Sequence, residues 1–271
     1  MNFAYLIPRI IRHFVPERLA DWMKKKQFII KAGIETMDPQ VALKRYLDYF
    51  NEAQIAITNK KIMIFGYGGN IITACGLLKH GADKVILCER KGLPYPKLND
   101  EVVSAYPNYF LVKEEGIQPD PDHLLIIHED IRDLANRHNL QKVDLVLSTS
   151  VFEHLDDVDG ITHALASLTA KQGEHVHFVD LRDHFFKYPF EMLTYSNKTW
   201  NNLLNPTSNL NRLRIPQYKS IFHKYFSTVK ISITESNIGP FQKTKPRIQR
   251  KFLSGDDEID SATQIIVEVK I

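Results

Sequence analysis

Lys61-Ile62-Met63-Ile64-Phe65-Gly66-Tyr67-Gly68-Gly69-Asn70 is an apolar run that stops abruptly on closely spaced glycines. A buried strand that empties into glycines and then into a helix presents backbone N–H groups, with no Cβ in the way, at the carboxyl edge of a sheet. That edge is where α/β folds hold nucleotides. The helix follows as an apolar stripe of Ile71, Ile72, Ala74, Cys75, Leu77 and Leu78, with Gly81 where a C-cap is wanted. An ordinary strand-to-helix turn looks the same, so the glycines alone name no ligand. Next, Lys84 to Cys88 reads as a second buried strand ending on Glu89. A carboxylate about 20 residues beyond the glycines is placed to accept hydrogen bonds from ribose hydroxyls. The dinucleotide fingerprint G-x-G-x-x-G would need a glycine at position 71, where Ile71 stands.

Further along, Val143 to Ser148 reads as a strand, followed by the loop Thr149-Ser150-Val151-Phe152-Glu153-His154-Leu155. A helix then opens at Asp156 and Asp157 and carries Val158, Ile161, Ala164, Leu165 and Leu168 on one face. Lys171-Gln172-Gly173 turns the chain into another strand, His175 to Leu181. In this order of fourth strand, S-x-x-E-H loop, helix and K-x-G turn, the chain resembles the class I S-adenosylmethionine-dependent methyltransferases over roughly residues 60 to 182. The resemblance implies a Rossmann-like α/β fold with a seven-stranded, mostly parallel sheet, helices on both faces and S-adenosyl-L-methionine as cofactor. It implies cofactor contacts at Gly66, Tyr67, Gly68, Gly69, Glu89, Asp130, Ile131, Ser148, Thr149 and Ser150, with Asp130 and Ile131 at the adenine after a strand His123 to His128. The family commonly has an acid two positions before the first glycine, where this chain has Ile64, and a third glycine where it has Asn70. Val229 to Thr234 and Gln264 to Lys270 complete the expected strands, the last of them antiparallel.

With 271 residues, 44% hydrophobic and 25% charged, the chain can bury one sizeable α/β core with room for an extra lobe. A net charge of +3 makes no case for nucleic acid, and the basic run Lys243 to Lys251 reads as a solvated face. Cys75 and Cys88, both at apolar positions, read as reduced thiols of a cytoplasmic protein. In residues 1–23, Pro8, Arg9, Arg12, Pro16 and Arg18 interrupt every apolar run, so neither a membrane span nor a signal segment is expected. This segment suits a peripheral membrane contact less well than a helical cap on the catalytic domain. A cleaner helix starts at Asp38-Pro39. The expected division is an N-terminal helical extension, residues 1–58, and a methyltransferase domain, residues 59–271.

Two excursions exceed what a doubly wound fold requires: Lys91 to Asp122, rich in proline, and Arg182 to Ile215. The second, residues 182–215, is assigned as the acceptor-binding insert. Its Arg182, Asp183, Trp200, Arg212 and Arg214 suit stacking on a ring and holding an anion, although such aromatics can equally form a satellite core. Methyl transfer to a hydroxyl needs alignment and a proton acceptor. His184, just past the fifth strand, is the expected base because an unperturbed imidazole titrates near pH 6.5. His154 stands second, and no histidine spacing argues for a metal. The motif Asp180 to His184 and the motif Asn211 to Arg214 resemble those of uncharacterised bacterial methyltransferases of glycan or secondary-metabolite assembly, which implies a small-molecule acceptor such as a sugar. The rivals are an NAD-type oxidoreductase and a catalytically silent binding protein that keeps the fold.

Overall fold

The computed structural model describes residues 2–16, 19, 38–90, 100–137 and 140–271. Most of the chain between positions 17 and 37, and the first part of the proline-rich excursion with Pro94 and Pro96, lie outside the described residues. The strands are β1 Lys61–Phe65, β2 Lys84–Cys88, β3 Phe110–Lys113, β4 Gly116–Pro119, β5 Leu124–Ile127, β6 Val143–Thr149, β7 Thr169–Asp180, β8 Thr228–Ser236 and β9 Ala262–Lys270. Seven form one sheet in the order β5-β2-β1-β6-β7-β9-β8, while β3 and β4 make a separate antiparallel hairpin within the proline-rich excursion, where no strands were expected. The pairs β1·β2, β1·β6 and β2·β5 are parallel. β9 runs against β7: Leu181 N–H donates to Thr263 O and Ile271 N–H to Gly173 O, so numbering rises on one strand as it falls on the other.

The central strands are buried on both faces, which is why they read as unbroken apolar runs rather than alternations. Ile62, Met63 and Ile64 in β1, Val85 and Leu87 in β2, and Val146 and Leu147 in β6 are all essentially inaccessible. Register decides where the loops emerge. Phe65 pairs with Cys88 and Cys88 with Ile127, while Ile64 pairs with Leu147. Gly66, Glu89 and His128, which follow β1, β2 and β5, and Ser148 near the end of β6 therefore lie at one edge of the sheet. The chain passes from β1 to β2 on one side and β6 adds on the other, so this edge holds the switch point of the strand order. The turn expected at Lys171 to Gly173 is present inside the long extended run. Thr169 Oγ1 and His175 Nε2 stand 2.7 Å apart, a separation that a straight strand of about 3.3 Å per residue forbids.

Contacts divide the chain into two compact units, one of residues 32–149, 160–176 and 270–271, the other of residues 1–31, 150–159 and 177–269. In the first, the helix Pro39–Ala53 is capped by Asp38, whose side chain accepts from Val41 N–H at 3.2 Å. It packs Leu43 against Gly76 of the helix Ile72–Lys79, so closely that a Cβ on Gly76 would lie 2.2 Å from a Leu43 methyl. The second unit contains helix Phe3–Phe14, which buries Tyr5, Leu6 and Arg9 and exposes Phe3, Ile7, Ile11 and Phe14. Tyr5 and Leu6 join Phe190, Met192, Leu193, Trp200, Leu204, Leu210, Phe241 and Ile248 in one apolar cluster. No helix among the described residues is long and apolar enough to cross a membrane.

Candidate active site

In the unit built on residues 32–149, β1 ends on a backbone that only glycine adopts easily: φ is 76° at Gly66, 64° at Gly68 and 80° at Gly69. Gly66 N–H donates to Cys88 O at 2.8 Å and Glu89 N–H to Ile127 O at 3.1 Å, so the parallel ladder carries the turn and the acid to the same edge. There the Glu89 carboxylate accepts from Gly68 N–H at 3.3 Å. Asn70, in place of a glycine, accepts from Ile72 N–H, at the start of the following helix, at 2.9 Å. Tyr67 is buried and its hydroxyl meets His128 Nε2 at 2.8 Å. Ser148 is buried, and Thr149 Oγ1 lies 2.8 Å from the Tyr46 hydroxyl.

Asp130 caps the helix Ile131–Ala135 through Arg132 N–H, and the Arg132 guanidinium forks onto the same carboxylate at 2.9 and 2.7 Å. These bonds hold Asp130 down to a pKa of about 2. Ile131 beside it is buried. Ile64, where the family commonly has an acid, is a core residue with 1% exposure.

The second unit holds Ser150, whose φ of 54° is left-handed for a residue with a side chain, and whose N–H donates to Phe178 O at 2.9 Å. The turn that follows is clamped by Asn211: its N–H donates to Glu153 O at 3.0 Å and its side-chain amide to Phe152 O at 2.7 Å. Here Glu153 is buried with 4% exposure, and His154 and His184 are half-buried with ring centroids 4.8 Å apart. One ligand atom from each of Glu153, His154 and His184 lies within 4.8 Å of the others. Linear spacing hid this cluster, because two of its members are adjacent and the third follows after a helix and a strand.

His184 departs from the expected base. Burial, followed by His154, Arg12, Arg9 and Arg182, lowers its pKa to about 3, so it does not titrate near neutral pH as an isolated imidazole would. The insert departs further. Asp183 is inaccessible and accepts from the Tyr5 hydroxyl, from the Arg9 guanidinium and from Phe185 N–H at 2.9 Å. Arg212 donates to the carbonyls of Met192 and Tyr195 at 2.9 and 2.8 Å and to Asn197 Oδ1 at 2.6 Å. Arg214 donates to the carbonyls of Leu181, Asp260 and Ala262. Trp200 is 1% exposed, donates Nε1–H to Leu210 O at 3.1 Å, and has Arg9 and Arg212 over its ring at 5.2 and 5.0 Å. These four residues form a satisfied satellite core, which corrects their assignment to an acceptor surface: their polar atoms are spent inside the protein. Arg182 differs, being partly accessible with its guanidinium forked on Asp180 at 2.9 and 2.7 Å and lying over Phe186.

No family model matches this chain, and no curated protein matches it. Solved structures do. One is a putative O-methyltransferase from Nostoc punctiforme, 12% identical, with a TM-score of 0.56 over 99% of this chain and 68% of that one. Another is a putative sarcosine dimethylglycine methyltransferase from Galdieria sulphuraria, 9% identical, with a TM-score of 0.52 over 85% of each chain. A third is phosphoethanolamine N-methyltransferase 2 from Haemonchus contortus, bound to phosphomonomethylethanolamine and S-adenosylhomocysteine, 10% identical, with a TM-score of 0.50 over 84% of this chain and 52% of that one. The chain has the Rossmann-like fold of the class I S-adenosylmethionine-dependent methyltransferases, with its seven-stranded, mostly parallel sheet.

Proposed function

We propose that this protein is an S-adenosylmethionine-dependent methyltransferase acting on a hydroxyl of a small molecule, a sugar or other metabolite. The observation that carries the reading is the Gly66–Gly69 turn with the Glu89 carboxylate on Gly68 N–H at the switch-point edge. The glycine conformations leave room for a ligand to approach the backbone, and the acid suits ribose hydroxyls, so the residues present fit this cofactor. Ser148, Thr149 and Ser150 follow at the end of β6, and Ile131 supplies an apolar surface for a purine. Asp130, tied to Arg132, serves there by capping the helix as well as by facing the adenine.

S-adenosylmethionine supplies a methyl group on a sulfonium, whose departure as a neutral thioether needs no acid. The work left to the protein is alignment of the acceptor oxygen and handling of its proton. Glu153 and His154 are the residues of the second unit suited to handling that proton, with His184 beside them to align the acceptor and Arg182 for an acceptor bearing negative charge. Calorimetry with S-adenosylmethionine and with NADH tests the class of cofactor. Binding of the first alone supports the reading, and binding of NADH alone, or of neither, rejects it.

A further inference from the structure

We infer that Glu153, His154 and His184 form a binding site for a divalent transition-metal ion. Two imidazoles and one carboxylate are a ligand set for Zn²⁺, Fe²⁺, Mn²⁺ or Co²⁺ rather than for Mg²⁺ or Ca²⁺, which take oxygen ligands. The three ligand atoms already lie within 4.8 Å of one another. Metal–ligand bonds of about 2.0–2.2 Å in a tetrahedral site would hold them roughly 3.3 Å apart, so closure around an ion takes side-chain adjustments of about 1–1.5 Å.

A second observation is independent of proximity. His154 Nδ1 faces the carbonyls of Ser208 and Asn209 at 3.0 and 2.8 Å. Carbonyls only accept, so Nδ1 carries the hydrogen and Nε2 is the acceptor nitrogen of the neutral ring. Metal-ligating histidines are oriented in this way, by donating the other ring N–H to a carbonyl or carboxylate. The orienting loop is itself fixed, because Asn209 donates back to His154 O at 3.0 Å and receives the Asn205 amide at 2.7 Å. His184 follows Asp183 in the chain, and Asp183 is anchored by Tyr5 and Arg9.

Of the guanidinium groups beside the site, Arg9 is engaged by Asp183 and Arg182 by Asp180 with Glu235, and the Glu153 carboxylate is the ligand set's own negative charge. Three protein ligands leave a position open for water or for an acceptor oxygen. That last role rests on the methyltransferase reading: the ion would lower the pKa of the acceptor hydroxyl, and the proton would pass to water.

The test uses the full chain stripped of metal with a chelator, then titrated with Zn²⁺ by calorimetry and with Co²⁺ by visible absorption. One ion per chain is expected, with Co²⁺ giving the intense visible bands of a low-symmetry nitrogen–oxygen site. Because outer-shell partners alone are worth about 10–100-fold, removing direct ligands in His154→Ala/His184→Ala should weaken Zn²⁺ by about a hundredfold or more and abolish those bands. Glu153→Gln, nearly isosteric, should weaken it by at least about tenfold and covers the case in which the double variant does not fold. Equal binding by wild type and Glu153→Gln, or a Co²⁺ spectrum unchanged from the aquo ion, overturns the site. S-adenosylmethionine affinity is measured on the same samples. Its absence beside a normal Zn²⁺ titration rejects the proposed function and leaves the metal site standing, whereas cofactor binding without Zn²⁺ binding does the reverse.

Discussion

The glycine edge of the first unit and the 182–215 segment of the second use polar groups in opposite ways. At the edge, the backbone bends into left-handed angles at Gly66, Gly68 and Gly69 and Glu89 stays partly accessible, so donors and an acceptor face outward. In the segment, Asp183, Arg212 and Arg214 are driven inside, and nearly every polar atom meets a carbonyl or an opposite charge. A charged side chain near a site is therefore no evidence of ligand contact until its hydrogen bonds have been accounted for. Burial without partners would cost more than the fold can spare, so a buried arginine is a structural element by necessity.

The largest effect that would break this contrast is expected at Arg214. Removing a buried guanidinium that serves three carbonyls should cost about 3–5 kcal/mol, read as a lowered denaturation midpoint. A loss below about 1 kcal/mol for Arg214→Ala would show the group to be dispensable inside and available to a ligand. Asp183→Asn comes next, at about 2–4 kcal/mol, because it leaves the Arg9 charge buried without its counter-ion. If that variant keeps its stability and loses only acceptor affinity, Asp183 belongs with the site. Glu89→Ala should show the opposite pattern: S-adenosylmethionine affinity falls by about 1.5–3 kcal/mol while the thermal midpoint barely moves. Unchanged affinity in a folded variant removes Glu89 from the ribose.

The last effect concerns acid. His177 is inaccessible against Phe152 and Phe222, and burial lowers its pKa to about 3. Its folded value lies below the unfolded value of about 6.5, so its contribution is complete above that pH and is lost as pH falls toward 3. Within that window it costs at most about 1.4 kcal/mol per pH unit. Denaturation of wild type and His177→Phe from pH 7 to 4.5 should show the variant with the shallower slope. Parallel slopes would mean that water reaches this ring and that the interior of the unit is wetter than its packing indicates.

The first of the two regions was legible in the sequence because its signals are local. Apolar runs that end on glycines, an acid at a strand tip and the Asp38-Pro39 cap each act within a few residues of themselves, and the parallel register then assembles them. The second was not, because its partners are distant or anonymous. Asp183 is satisfied by Tyr5 and Arg9, 178 and 174 residues away, and Arg214 by backbone carbonyls, which no side chain announces. The histidine and carboxylate cluster fell between these cases: Glu153, His154 and His184 are each visible, and only the fold brings them together.

The link between Arg9 and Asp183 also constrains the order of assembly. During synthesis the helix Phe3–Phe14 emerges long before the carboxylate that will hold it, and it carries exposed Ile7, Ile11 and Phe14 beside Tyr5 and Leu6, which are still without a core. The strands β1, β2, β5 and β6 can pair as they appear, since each meets its neighbour without waiting for the later chain. Contacts across such a span form late because the intervening loop must first be closed. A helix made this long before its partners is thus among the last to settle, and until residues 183–210 arrive it presents an apolar surface for a chaperone to cover.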